Sequence, residues 1–318
     1  MCIRDRYGGV VPELAARAHV EKIDLIAKKA IEESKIKIQD IDAIAATAGP
    51  GLIVCLTVGL NIGKSSAAFL NKPFVGVNHL EGHALSPGLE YKIEFPYLLL
   101  LISGGHTQYL IVRDVNHYEQ LGTTIDDALG EAFDKTAKML DLGYPGGPAV
   151  EKFSKLGEKD YFKLPEPIIN KAGCNLSFAG LKTAVLRVSK KINGDEKLKY
   201  NLAASFQSTI NKILYKKTKI AIQEFKNKTK EKKVELIVAG GVAANKSIRE
   251  NLTKLSEEMD FKTIYPDLKF CGDNAAMIAW AGIKRFKKNL VDNLDISAKS
   301  RWPLDKNAPY MKGPGLKL

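Results

Sequence analysis

Short apolar runs set between longer stretches of helical spacing constrain this chain most. Tyr97 to Ile102 (YLLLLI) is apolar from end to end, and Phe74 to Val77, Tyr109 to Val112 and Leu236 to Ala239 are shorter runs of the same kind. Runs of this length bounded by turn residues suit strands covered on both faces. Ile41 to Thr47 (IDAIAAT) reads as another buried strand, stopped by Ala48-Gly49-Pro50-Gly51. Helical spacing fills the gaps at Leu14 to Ser34 and Leu56 to Leu70, and strands recur in both halves, which predicts an α/β fold. The lysine-rich stretch Lys190 to Lys233 carries apolar residues at Leu202, Phe206, Ile210, Ile213 and Leu214, the pattern of an amphipathic helix with a solvated basic face.

A chain of 318 residues that is 45% hydrophobic can bury one large core or two ordinary ones, so disorder is excluded. No repeat or low-complexity linker marks a boundary. Forty-eight Lys and Arg against 36 Asp and Glu leave a net charge of +12. That field favours polyanions such as nucleic acid, but the basic residues are spread along the chain, so a lysine-rich solvated surface remains open. Cys2, Cys55, Cys174 and Cys271 lie far apart without a CxxC pair, which argues against a zinc knuckle or a disulfide framework and fits a reducing cytosol. The apolar runs fall well short of the roughly 20 residues of a spanning helix, and the amino terminus lacks an apolar signal core. The expectation is a soluble, cytoplasmic protein with no membrane partner.

Four motifs are candidates for chemistry. In His79-Leu80-Glu81-Gly82-His83 the histidines are four apart and share a face if the stretch is helical, as two metal ligands require. An isolated His pair is more often structural. Asp273, in Cys271-Gly272-Asp273-Asn274, could be a third ligand, and on its own reads as an N-cap ahead of Ala275 to Gly282. Ile102-Ser103-Gly104-Gly105-His106-Thr107 is either an anion-cradling glycine loop or a hairpin turn, with the hairpin favoured when the motif is taken alone. Asp127, Glu131 and Asp134 fall at i, i+4 and i+7; carboxylates clustered on one stripe, followed by Tyr144-Pro145-Gly146-Gly147-Pro148, hint at a site for hydroxyls such as those of a ribose. Ala239-Gly240-Gly241-Val242-Ala243-Ala244-Asn245 is a strand running into a glycine turn and a helix, where ligands meet sheet ends. Gly59 to Ser65 imitates a P-loop with three residues instead of four between its glycines, and sits in a helical pattern.

The order of these blocks, with YGGVVPELAARAHVE from Tyr7, TAGPGL from Thr47, LISGGHTQ from Leu101, DDALGEAFDKTAK from Asp126, SFAGLKT, CGDNAAMIA and RWPL, resembles the TsaD family of bacterial tRNA N6-adenosine threonylcarbamoyltransferases, from Tyr7 to Leu304. The resemblance implies an actin-like, sugar-kinase-like (ASKHA) α/β fold with two lobes about a nucleotide cleft. It implies transfer of a threonylcarbamoyl group from threonylcarbamoyl-adenylate to N6 of the adenosine 3′ of the anticodon in tRNAs reading ANN codons, with release of AMP. By position, His79, His83 and Asp273 match the family's metal ligands, for Fe2+ or Zn2+. Leu101, Ile102, Ser103, Gly104 and Gly105 match the loop that holds the intermediate, and Asp134, Gly147 and Asn245 match further adenylate contacts. Glu151 stands where many members have Asp. His106 is a candidate proton acceptor. Implied partners are tRNA, a TsaB-like paralogue and a TsaE-like small ATPase.

Family members begin with a strand of Ile-Glu-Thr-Ser-Cys-Asp type, which nothing before Tyr7 matches. The expected organisation is therefore a non-native leader over 1–6 and an amino-terminal lobe over 7–97 lacking its first strands, on the order of 30 residues. A carboxy-terminal lobe over 98–274 and a helix and tail over 275–318 that return to the first lobe complete it. A lost strand would expose a sheet edge. A sugar or acetate kinase would bind ATP with magnesium and has no use for the HxxxH pair. A metalloprotease would need HExxH spacing, which Glu81 does not meet. A scaffold paralogue usually lacks the metal triad.

Overall fold

The computed structural model describes residues 11–192, 194–231 and 235–308. The leader expected over 1–6 and the end of the tail lie outside the described residues. The chain divides into two compact units, residues 1–89 with 274–306, and residues 90–273 with 307–318.

In the first unit, α1 (Pro12–Ser34) opens with a proline at its start, where the missing N–H costs nothing. It packs on α2 (Ile53–Leu70). The strands β1 (Ile44–Gly49) and β2 (Phe74–Asn78) pair in parallel, Ile44 facing Phe74. The short helix α3 (His79–Leu85) leaves β2 directly, and its N-cap Asn78 accepts a hydrogen bond from Leu80 N at 2.9 Å. Among the described residues α2 is long and apolar enough, by length and composition, to cross a membrane, a feature that the separate apolar runs of the sequence did not suggest. Its buried residues Leu60, Gly63 and Ala67 face the unit's small core with Ala48 and Phe74, and the rest of the helix is exposed or half-buried. At Gly63 a Cβ would stand 2.9 Å from that of Ala46, so the helix lies directly on β1.

The carboxy-terminal segment completes this unit. Asp292 N donates to Phe74 O at 2.8 Å and Asp292 Oδ2 accepts from Gly76 N at 2.9 Å. Lys299 N donates to Ala48 O at 2.8 Å, and Asn78 Nδ2 donates to Trp302 O at 2.9 Å.

The second unit is built on a mixed sheet of order β5-β4-β3-β6-β7, comprising β3 (Tyr97–Ile102), β4 (Thr107–Asp114), β5 (His117–Thr123), β6 (Glu235–Ala239) and β7 (Lys262–Ile264). The first three run antiparallel as a meander, and β6 and β7 extend the sheet in parallel from β3. All six residues of β3 are buried, which is what its unbroken apolar run requires of a central strand. Helices α4 (Leu129–Leu140), α5 (Gly146–Ser154), α6 (Ala179–Ser189), α7 (Glu196–Thr229) and α8 (Lys246–Met259) surround it. The helix α7 buries Leu202, Phe206, Ile210, Ile213 and Leu214, the stripe its sequence spacing predicts, and starts on Asp195, whose side chain accepts from Leu198 N at 3.0 Å.

Candidate active site

The ligand atoms of His79, His83 and Asp273 lie within 4.8 Å of one another, the one group of this kind among the described residues. Local structure explains the convergence. His79 and His83 sit one turn apart on α3, so their rings meet edge to face at 4.8 Å. Asp273 enters just before α9 (Ala275–Phe286), which packs against α3. A Cβ on Gly82 would stand 2.9 Å from Ile278 Cδ1, so glycine is what lets the two helices approach this closely. The cap of α9 is Asn274, not Asp273: its side chain accepts from Met277 N at 2.9 Å. The carboxylate of Asp273 is thereby released from capping. Two imidazoles and a carboxylate at this spacing fit a divalent metal with open coordination positions. Beside it, burial raises the pKa of the Cys271 thiol against the opposing pull of Arg249, whose Nη2 donates to Sγ at 3.2 Å, so Cys271 packs as a protonated thiol.

The remaining candidates lie in the second unit. Leu101 and Ile102 end β3 and are buried, and Ser103 to His106 make the hairpin turn to β4, Ser103 N donating to His106 O at 2.8 Å and His106 N to Ser103 Oγ at 3.1 Å. Gly104 and Gly105 are exposed at its tip. The start of α4 presses on this turn. Gly130 N donates to Ser103 O at 3.1 Å, and a Cβ on Gly130 would lie 2.7 Å from Gly104 Cα. One turn on, Asp134 Oδ1 accepts from Gly146 N at 2.9 Å, which holds the first turn of α5 and with it Gly147. Glu151, further along α5, accepts from Lys246 N at 3.2 Å. Asn245 caps α8, accepting from Ile248 N at 2.9 Å. The glycine turn at Gly240 completes the group: its φ of +97° is glycine territory, and a Cβ there would meet Ile102 O at 2.4 Å. Glycine loop, Asp134, Gly147, Glu151 and Asn245 are thus linked through α4, α5 and the start of α8.

The acidic stripe is organised differently from its sequence spacing. Asp127 precedes α4, and it is balanced by lysines: Lys182 Nζ donates to Asp127 Oδ2, and Lys135 Nζ donates to Glu131 and stands 3.9 Å from Asp127. The reading of unbalanced carboxylates as a hydroxyl site therefore fails for Asp127 and Glu131. Asp126 accepts from Phe178 N at 2.8 Å and Ala179 N at 3.2 Å, so DDALGEAF and SFAGLKT form one structure. Lys182 and Asp126 were missed because their partners lie some fifty residues away; only the co-occurrence of the two blocks signalled them.

The chain is similar to known proteins. The family model described as TsaD, tRNA N6-adenosine threonylcarbamoyltransferase, matches residues 2–280. The tRNA N6-adenosine threonylcarbamoyltransferase of Pelagibacter ubique is 60% identical over 316 residues, covering 99% of this chain and 88% of the relative. That of Sinorhizobium medicae is 50% identical over 312 residues, covering 97% and 87%. Among solved structures, HypF of T. kodakarensis (TM-score 0.58, 15% identity, 80% of this chain and 42% of that one) and full-length HypF in a phosphate- and nucleotide-bound form (TM-score 0.57, 15% identity, 79% and 47%) share the fold, in keeping with the ASKHA-type α/β class. The chain accordingly belongs to the TsaD family, the tRNA N6-adenosine threonylcarbamoyltransferases, and is a transferase whose substrate is tRNA.

Proposed function

We propose that this enzyme takes the threonylcarbamoyl group from threonylcarbamoyl-adenylate and passes it to N6 of the adenosine immediately 3′ of the anticodon in tRNAs reading ANN codons, releasing AMP. The observation that carries the reading is the convergence of His79, His83 and Asp273 within 4.8 Å in a chain of this family. Those three residues would hold one divalent ion per subunit, and a mixed nitrogen and oxygen set suits iron or zinc; Fe2+ is our assignment and Zn2+ the alternative. When bound, such an ion supplies positive charge to oxygens of the substrate.

The chain's own residues account for the rest. Backbone from Leu101 through Ile102 and Ser103 to Gly104 and Gly105 holds the intermediate, with the exposed glycine amides donating to charge that develops on the acyl oxygen. Asp134, Gly147, Glu151 and Asn245 shape the adenylate subsite. The side chains of Asp134, Glu151 and Asn245 also anchor backbone at Gly146, Lys246 and Ile248, so part of their role is to hold the subsite walls. In the transfer step the N6 amine attacks the acyl carbonyl carbon, the bond to the AMP phosphate oxygen breaks, and the imidazole of His106 takes the amine proton.

In the cell we place the enzyme in the cytoplasm, away from membranes, working with a TsaB-like paralogue and a TsaE-like small ATPase. The test supplies threonylcarbamoyl-adenylate and unmodified tRNA to the purified enzyme with both partners, and reads modified adenosine by nucleoside mass spectrometry. Product from wild type and none from the His79→Ala, His83→Ala double variant is expected. Equal product from both would remove the metal triad from the reaction, and none from either would remove the proposed donor.

A further inference from the structure

On α3, Glu81 stands two residues from each histidine, and at about 100° per residue it points away from the face that His79 and His83 share. There it meets the far end of α9. Arg285 Nη1 donates to Glu81 Oε2 at 2.9 Å, with side-chain exposures of 9% and 1%. The helix α9 therefore touches the histidine helix along its length. Asp273, just ahead of its cap, stands with the histidines, Met277 and Ile278 pack on Gly82, and Arg285 in its last turn closes on Glu81. Trp280, between them, packs on Gly88, where a Cβ would lie 2.9 Å from its indole nitrogen.

A buried ion pair is a poor device for stability, because the desolvation of two charges offsets their attraction and apolar residues of similar size often do as well. It is a directional device. A hydrophobic contact between α3 and α9 tolerates sliding and rotation, whereas a buried hydrogen bond from guanidinium to carboxylate is made only over a narrow range of rotation of α3 and of axial position of α9. Those are the two degrees of freedom that decide whether Asp273 stays within reach of both imidazoles.

We propose that the Glu81–Arg285 ion pair is a positioning pair for the metal donor set, locking the rotation of α3 and the register of α9 so that His79, His83 and Asp273 converge. The inference rests on the metal reading of that triad. It assigns no contact with substrate to either residue.

The test is titration of the full, metal-stripped chain with Co2+, following the visible ligand-field bands, alongside thermal melts of the same stripped proteins. Variants are Glu81→Met with Arg285→Met, the isosteric Glu81→Gln, and His83→Ala as control. The expected result is one Co2+ per wild-type chain, loss of the bands in His83→Ala, and binding weakened about tenfold or more in the double variant with altered bands and an unchanged melting temperature of the stripped protein. Wild-type affinity and bands in the folded double variant would overturn the proposal. Should that variant fail to fold, Glu81→Gln answers the same question: weaker binding supports the pair's role, and unchanged binding overturns it. If His83→Ala binds Co2+ like wild type, the metal reading itself fails, which is a separate outcome from failure of the positioning pair.

Discussion

Asn245 uses both ends of its side-chain amide inside the protein: Nδ2 donates to Gln207 Oε1 at 2.9 Å, and Oδ1 accepts from Ile248 N at 2.9 Å. Both residues are buried, so the pair ties α7 to the start of α8 and fixes the turn that follows β6. Asn245→Ala removes a helix cap and takes the Asn245 donor from the Gln207 carboxamide oxygen, and is expected to cost about 1–3 kcal/mol. A urea midpoint equal to wild type would show that the amide is not structural. Asn245→Asp keeps the cap oxygen but loses the donor to Gln207, and should fall between the two.

Burial pushes the Cys174 thiol up from 9.0 to about 12. The folded protein keeps the proton through a range where the unfolded chain has lost it, so this group makes stability fall as pH rises from 9 toward 12. Tyr109, raised by burial in the same core, acts in the same direction at higher pH. Cys174→Ala should flatten the decline between pH 9 and 12 in denaturation midpoints measured across that range. A decline as steep as wild type would assign it to other groups.

Lys217 is fully buried and its Nζ donates to Lys171 O at 2.8 Å and Gly173 O at 3.0 Å. Those carbonyls belong to the loop that brings Leu176 to Thr123 and SFAGLKT to Asp126. Lys217→Met keeps the stem and removes the donors, and should cost about 1–3 kcal/mol with faster amide exchange confined to residues 171–178. Exchange unchanged in that loop would refute the anchoring role.

Gly130 has backbone on the far side of its Cα, with Ser103 O and Gly104 Cα each 2.7 Å from where a Cβ would stand. Gly130→Ala must displace the glycine turn or the start of α4. The expected outcome is a fall of about tenfold or more in kcat/KM for tRNA modification, about 1.4 kcal/mol, with the protein still folded by circular dichroism. Wild-type kinetics would separate the position of this turn from catalysis.

Much of the architecture was legible because strands buried on both faces need unbroken apolar runs. Tyr97 to Ile102 and Leu236 to Ala239 became the adjacent central strands β3 and β6. The weaker strands escaped notice: β5 (HYEQLGT) is half polar because it lies at the sheet edge, and β7 is only three residues long. The histidine pair was legible because its spacing is that of one helical turn, and α3 supplies that turn. The cap of α9 was not, since Asp273 and Asn274 are equally good capping residues and only the backbone path decides which one turns inward. The acidic stripe was misread for a related reason. Spacing assumes one continuous helix, and α4 starts only at Leu129 because Leu129 N is taken by Thr107 Oγ1 at 2.8 Å.

By itself, then, the sequence determined the buried central strands, the long helices, the pairing of His79 with His83 and the family, because these depend on periodicities and blocks contained within a few turns of chain. Only the tertiary structure decided that Arg285 closes on Glu81 and that Lys182 neutralises Asp127. Those contacts join residues far apart in the chain, Glu81 and Arg285 by 204 positions. Their geometry is set by how helices pack, and no local spacing encodes it.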